Sequence, residues 1–169
     1  MLEKLRTHRR AFDLVAALAC ALLLCYAYYL QFHEGLDPCP LCIFQRIAVF
    51  GLGLAFLIAA LPPAAWTMAR RVTTLLVALA SAAGIAIAAR HLYIQSLPPG
   101  SVPSCGAPLE HLWDILPVVE VLRRVLSGSG ECAKVETVLG LSMPWWVLIW
   151  AAGLGVLGVL ANWPARRRN

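Results

Sequence analysis

Charge is scarce in this chain: 14% of its 169 residues are Asp, Glu, Lys or Arg, against 60% hydrophobic, and mean hydropathy is +0.74. A soluble domain carries about 25% charged residues, so the composition excludes one and leaves an integral membrane protein. There is no basic face interleaved with aromatic residues, which excludes a nucleic-acid partner despite the net charge of +5. Closely spaced cysteine knuckles are also missing, because Cys105 and Cys132 have 26 residues between them. Structural zinc sites are usually built from two short-spaced pairs, so no metal is expected.

What the chain has in abundance is long apolar runs. Four of them, 14–32, 43–61, 72–89 and 145–163, come near the roughly 20 residues that cross a bilayer. Tyr28, Tyr29, Trp145, Trp146 and Trp163 fall at their ends, where interfacial aromatics belong. The third run is rich in Ala and Gly, which suits close helix packing. Only helices satisfy their own backbone in lipid, apart from closed barrels. The expected fold is therefore an all-α four-helix transmembrane bundle, one membrane domain over 1–169 with external loops at about 33–42 and 90–144. The basic head before the first run resembles a secretory signal, and Ala17-Leu18-Ala19-Cys20 faintly resembles a lipoprotein cleavage site. The run continues to Leu30, however, and is expected to be a stable span.

Basic residues orient the bundle. Lys4, Arg6, Arg9, Arg10, Arg70, Arg71, Arg166, Arg167 and Arg168 share one side, against Arg123, Arg124 and Lys134 on the other, with Arg46 and Arg90 at the membrane rim. Nine against three places both termini in the cytoplasm and the cysteine-bearing loops outside it, in a compartment that permits disulfides.

Cys39 and Cys42 stand at the outer rim of the second span. Pro38 and Pro40 bias the residues before them toward extended backbone, and Pro40 suits a first helical position. Cys39 is then at the N-cap and Cys42 in the first turn, where free amide N–H groups favour a thiolate. Such a pair opens and closes readily, so it reads as a redox pair in preference to a structural disulfide or half a zinc site. Arg46, one turn beyond Cys42, is a charge near hydrocarbon and hence a functional candidate, with an interfacial anchor as its alternative. Cys20 and Cys25 lie inside the first span, roughly 140° apart around a helix, and are expected to pack as small hydrophobes.

The long loop holds the second pair. Cys105 lies in a Pro- and Gly-rich stretch and Cys132 follows Ser127-Gly128-Ser129-Gly130, so both arms are expected to move freely. Between them, 117–126 reads as a short amphipathic helix, flanked by Trp113 and Leu116, that lies parallel to the membrane, or alternatively packs on the tops of the spans.

Taken together, Cys39-Pro40-Leu41-Cys42 with Arg46, Cys105, Cys132 and the stretch Leu139-Gly140-Leu141-Ser142-Met143-Pro144 closely resemble the DsbB family, over essentially the whole chain. The resemblance implies a thiol:quinone oxidoreductase of the bacterial inner membrane that reoxidises a periplasmic DsbA-like dithiol oxidase and passes the electrons to a quinone, ubiquinone or menaquinone. It further implies that the partner attacks a Cys105–Cys132 disulfide at Cys105, that Cys39–Cys42 reoxidises this pair through a Cys39–Cys105 bridge, and that Cys42 faces the quinone. His91 matches a histidine of the family's quinone region. Arg90 departs from the family and is expected to alter quinone or partner preference. Rival readings are a quinone-linked enzyme like the vitamin K epoxide reductases, in which the loop pair comes before the C-x-x-C, and a non-catalytic scaffold stapled by its disulfides.

The orientation is checked directly. A reporter fused after Asn169 should be active only in the cytoplasm, and thiol labelling from outside the cell, after reduction, should reach Cys105 and Cys132. Periplasmic activity of the C-terminal reporter would invert the assignment.

Overall fold

The computed structural model describes residues 7–63, 66–98, 101 and 109–163. Four helices are long and apolar enough to cross a membrane: α1 (Arg9–His33), α2 (Pro40–Ala60), α3 (Thr67–Gln95) and α7 (Met143–Asn162). They make a multi-pass bundle in which α3 packs most extensively on α7, and α2 sits between α1 and α3. Between α3 and α7 come α4 (Leu109–Ile115), α5 (Val118–Ser127), the single turn α6 (Gly130–Ala133) and an antiparallel hairpin of β1 (Thr137–Val138) and β2 (Leu141–Ser142).

The spans run longer than hydropathy marks them. α1 begins five residues before the apolar run, because Arg9 and Asp13 are buried rather than solvated. The Arg9 guanidinium lies 3.9 Å from the Asp13 carboxylate and donates to the carbonyls of Ala59, at 3.0 Å, and Pro62. The Asn162 amide donates to Asp13 at 2.7 Å, and Arg70 donates to the Asn162 carbonyl at 3.0 Å. Buried charge is costly unless paired and hydrogen-bonded, and these bonds join the ends of all four spans. α3 continues past Ala89 to Gln95 and so carries His91 beneath the loop.

Small residues set the closest approach. A Cβ on Gly155 of α7 would stand 2.6 Å from Cβ of Ser81, and one on Gly158 would stand 2.6 Å from the buried Phe56 ring. Ser81 donates to the Ala151 carbonyl at 2.8 Å, a bond between helices that only such proximity allows. Cys20 packs in this core and Cys25, on another side of the helix, faces outward, so the expected packing against neighbouring helices holds for Cys20 alone.

The amphipathic helix is present as α5, and its apolar residues divide. Val121 and Val125 are buried against Leu41, Ile94 and Cys132, while Val118, Val119 and Leu122 are exposed. It therefore packs on the span tops and still presents an apolar row outward. Gly128, at φ +87°, ends it where a Cβ would stand 2.5 Å from Ile94. The β1–β2 turn has Leu139 at φ 52° and Gly140 at φ 82°, the paired positive angles of a tight hairpin.

Gly155→Ala should separate α3 from α7 and lower stability by about 1–3 kcal/mol, read as a fall in unfolding temperature in detergent. Adding Ser81→Gly should relieve the clash and recover part of the loss, the rest being the Ser81–Ala151 hydrogen bond it removes. No loss in the single variant would show that the helices do not meet there.

Candidate functional site

The N-terminus of α2 assembles the site. Cys39 is its N-cap, with extended backbone at φ −64° and ψ 163°, and Pro40 opens the helix. The Cys39 sulfur accepts from the Cys42 N–H at 3.3 Å and lies 3.0 Å from the Cys42 sulfur. Both extended backbone before proline and a proline-started first turn are local consequences of Pro38-Cys39-Pro40.

Cys132 is not on a free arm. It is wholly buried, in α6, against Cys39, Leu41 and Ile94. Ser129 stands before it as N-cap, its hydroxyl 3.7 Å from the Cys132 sulfur. The Ser-Gly run thus makes a tight cap instead of a swinging linker, and reagents reach Cys132 only when this segment opens. Cys105 lies outside the described residues, as does the Pro-rich stretch around it.

His91, buried at 2% exposure, joins span and loop. Its Nε2 is 3.1 Å from the Cys132 carbonyl and 3.8 Å from the Cys39 sulfur, and its Nδ1 is 3.3 Å from the Gln45 side-chain nitrogen. The sulfurs of Cys39 and Cys132 and a ring nitrogen of His91 lie within 4.8 Å of one another. That spacing suits a metal ion, yet both ring nitrogens already have hydrogen-bond partners.

Sulfur chemistry in this reduced cluster is asymmetric. The Cys39 thiol, the Leu41 N–H at the start of α2 and Ser129 together bring Cys132 down to about 6, with the Cys39 contact the largest effect and burial opposing it. Cys39 goes the other way: its contacts with Cys132 and Cys42, and then burial, hold its proton well above the ordinary thiol range. Cys132 is thus the thiolate of the pair and Cys39 the sulfur facing it.

Below this junction lies a cavity of about 310 Å³, lined among others by Cys42, Gln45, Arg46, His91, Trp146 and Trp150. Its size is that of a small-molecule pocket, and its walls are mostly apolar with a few convergent polar groups. Arg46 is half-buried one turn from Cys42. It donates to Gln31 and, at 3.1 Å, to the Ala27 carbonyl, with its guanidinium 4.9 Å from the Tyr28 ring centre. These bonds aim the charge along the cavity wall, which an unattached interfacial anchor would not require.

Arg90 points away from the cavity, donating to the carbonyls of Leu126 at 2.7 Å and Ser127 at 3.4 Å. It closes the C-terminal end of α5, which has orphan carbonyls and negative dipole, as a cation there should. The residues that sequence reading passed over are Gln31, Gln45 and Ser129. A glutamine inside an apolar span is itself a signal, since an unpartnered amide there is costly.

The family model for "Disulfide bond formation protein DsbB" matches residues 9–161. Among similar curated proteins, Disulfide bond formation protein B of Chromohalobacter salexigens is 49% identical over 158 residues, 92% of each chain. Its counterpart in Xylella fastidiosa is 45% identical over 161 residues, 95% of this chain and 93% of that one. The protein of the same name in Xanthomonas euvesicatoria is also 45% identical, over 95% of this chain and 94% of its own.

A depressed Cys132 contributes stability to the reduced fold that is complete above the unfolded thiol value of about 8.5 and is lost as pH falls through about 6. Thiolate absorbance of the reduced protein should show a step near pH 6 that Cys132→Ser removes. A first step near the ordinary thiol value would show that the Cys39, Leu41 and Ser129 contacts leave Cys132 unperturbed.

Proposed function

Because this chain belongs to the DsbB family of disulfide bond formation proteins, we propose that it is a thiol:quinone oxidoreductase of the bacterial inner membrane. It takes two electrons from a periplasmic DsbA-like dithiol oxidase and delivers them to a membrane quinone, ubiquinone or menaquinone. One observation carries this reading: the Cys39–Cys132 junction and the Arg46 cavity meet at a single helix N-terminus, with Cys42 common to both.

The exchange begins when a thiolate of the partner attacks Cys105 in a Cys105–Cys132 disulfide and Cys132 leaves as thiolate. Cys132 then attacks the Cys39 sulfur, the Cys39–Cys42 bond breaks, and Cys42 leaves as thiolate on the cavity wall. Cys39 is the sulfur that lies beside Cys132, and attack on it can release only Cys42. The bridge between loops is accordingly Cys39–Cys132, in place of the Cys39–Cys105 bridge expected from sequence. The partner's second thiol resolves its mixed disulfide, and Cys105 recaptures Cys132. Cys39 and Cys42 are then left as a dithiol.

The cavity fits a quinone head: it is apolar, of adequate volume, and has a fixed guanidinium beside a thiol. When bound there, a quinone supplies an acceptor for two electrons and two protons, and Cys39–Cys42 closes again. Arg46 favours the Cys42 thiolate and offers N–H donors to an oxygen gaining negative charge. Trp146, held by its N–H to the Val138 carbonyl at 2.9 Å, walls the cavity from the hairpin. Across a full cycle one dithiol becomes one disulfide and one quinone becomes one quinol.

Purified protein, reduced DsbA-like oxidase and a quinone, mixed together, should lose two thiols for each quinone reduced. Arg46→Met should weaken apparent quinone affinity or slow quinone reduction about 10-fold or more, the scale of a lost charged hydrogen bond. Exchange between the loops, followed without quinone, should continue. Thiol loss without quinone reduction in the parent protein would refute the assignment.

A further inference from the structure

We propose that Gln45 and His91 are a positioning pair that holds Cys132 against Cys39. The Gln45 amide donates to Nδ1 of His91, which keeps the ring proton on Nε2, and that proton is donated to the Cys132 carbonyl. The pair rests on the thiol-exchange reading for its purpose, though its geometry stands apart from it.

For a neutral imidazole the chemistry of the three groups leaves one arrangement. A backbone carbonyl only accepts, so the ring nitrogen 3.1 Å from the Cys132 oxygen must carry hydrogen. In a neutral imidazole the other nitrogen is then an acceptor, and it needs a donor. Gln45 provides one at 3.3 Å, from a side chain only 3% exposed. Were the amide turned to present its oxygen, Nδ1 would need the proton and Nε2 would meet the carbonyl lone pair to lone pair. Gln45 comes from α2 and His91 from α3, so the pair joins two spans to the loop above them.

The loop segment requires such a hold. α6 is one turn of four residues, far too short to persist by itself. Besides this bond the segment is tied to the spans by the contacts of the Cys132 sulfur with the Cys39 thiol and the Leu41 N–H, which hold the sulfur but not the backbone, and by a bond from Gln95 to the Lys134 carbonyl, 3.2 Å and exposed. Fixing the Cys132 carbonyl fixes the residue's orientation, and so points its sulfur at Cys39. Exchange depends on such alignment, because displacement at sulfur needs the attacking atom close and correctly oriented.

Two measurements test the pair. In full-length protein labelled with ¹⁵N-histidine, in lipid nanodiscs and reduced, the His91 signal is the one that His91→Leu removes from among the four histidines. It should show the Nε2–H tautomer, and Gln45→Leu should populate the Nδ1–H form. In a Cys105→Ser background with one disulfide and no quinone, the Cys39–Cys42 and Cys39–Cys132 bridges interconvert without any oxidant, and quenching with alkylation counts each. His91→Leu and Gln45→Leu should each lower the Cys39–Cys132 fraction about 10-fold, roughly one buried hydrogen bond. His91→Gln, which retains a donor of similar reach, should restore most of it. An Nδ1–H tautomer in the parent, or an unchanged bridge fraction in both leucine variants, overturns the pair. If the parent forms no Cys39–Cys132 bridge at all, the exchange reading fails instead. The tautomer response to Gln45→Leu then decides the pair alone, its absence refuting it and its presence upholding it as a loop anchor.

Discussion

The first turn of α2 has amide hydrogens without helical partners, and sulfur is what meets them. The Cys42 N–H points at the Cys39 sulfur, and the Leu41 N–H stabilises Cys132. Every helix begins with such orphan donors, and in most proteins a side-chain oxygen or water satisfies them. Here the proline before and after Cys39 forces the helix to begin at the membrane rim, with cysteine as the cap. The loop cysteine is drawn to the same place. Packing of α5 and α6 on Leu41 and Ile94 follows from that meeting point, and the cavity opens directly beneath it.

A membrane bundle has little hydrophobic force between its helices, so its polar contacts carry specificity at both ends. One end is organised by His91, Gln45 and Arg46, which tie α1, α2, α3 and the loop. The opposite end is organised by Arg9, Asp13, Arg70 and Asn162. Between them the contact surface is made of Ala, Gly and Ser, whose small size brings α3 and α7 together. The cysteine cluster is thereby mounted on a frame pinned above and below.

Much of this was legible in the residues. The four spans, the N-cap at Cys39 and the amphipathic segment follow from apolar run length, proline chemistry and periodicity, which are local. The burial of Cys132 was not legible, because Ser-Gly-Ser-Gly reads as a linker until Ile94 stands against Gly128 and Ser129 caps a turn. The buried pairing of Arg9 and Asp13 was not legible either, since their partner Asn162 lies at the far end of the chain. The bonds of Arg90 were hidden for the same reason: the carbonyls it caps belong to α5, 36 residues on. Long-range pairing is what hydropathy and spacing do not encode.

The bond between Asp13 and Asn162 spans 149 positions of sequence. Asp13 enters with the first helix, and its amide partner exists only once the last helix has been synthesised. Until then the carboxylate has Arg9 from its own helix, and the bundle lacks the contact that joins its first and last members. Closure of the fold is therefore a late event in biogenesis, and a chain truncated before residue 162 is left with a buried acid short of its partner.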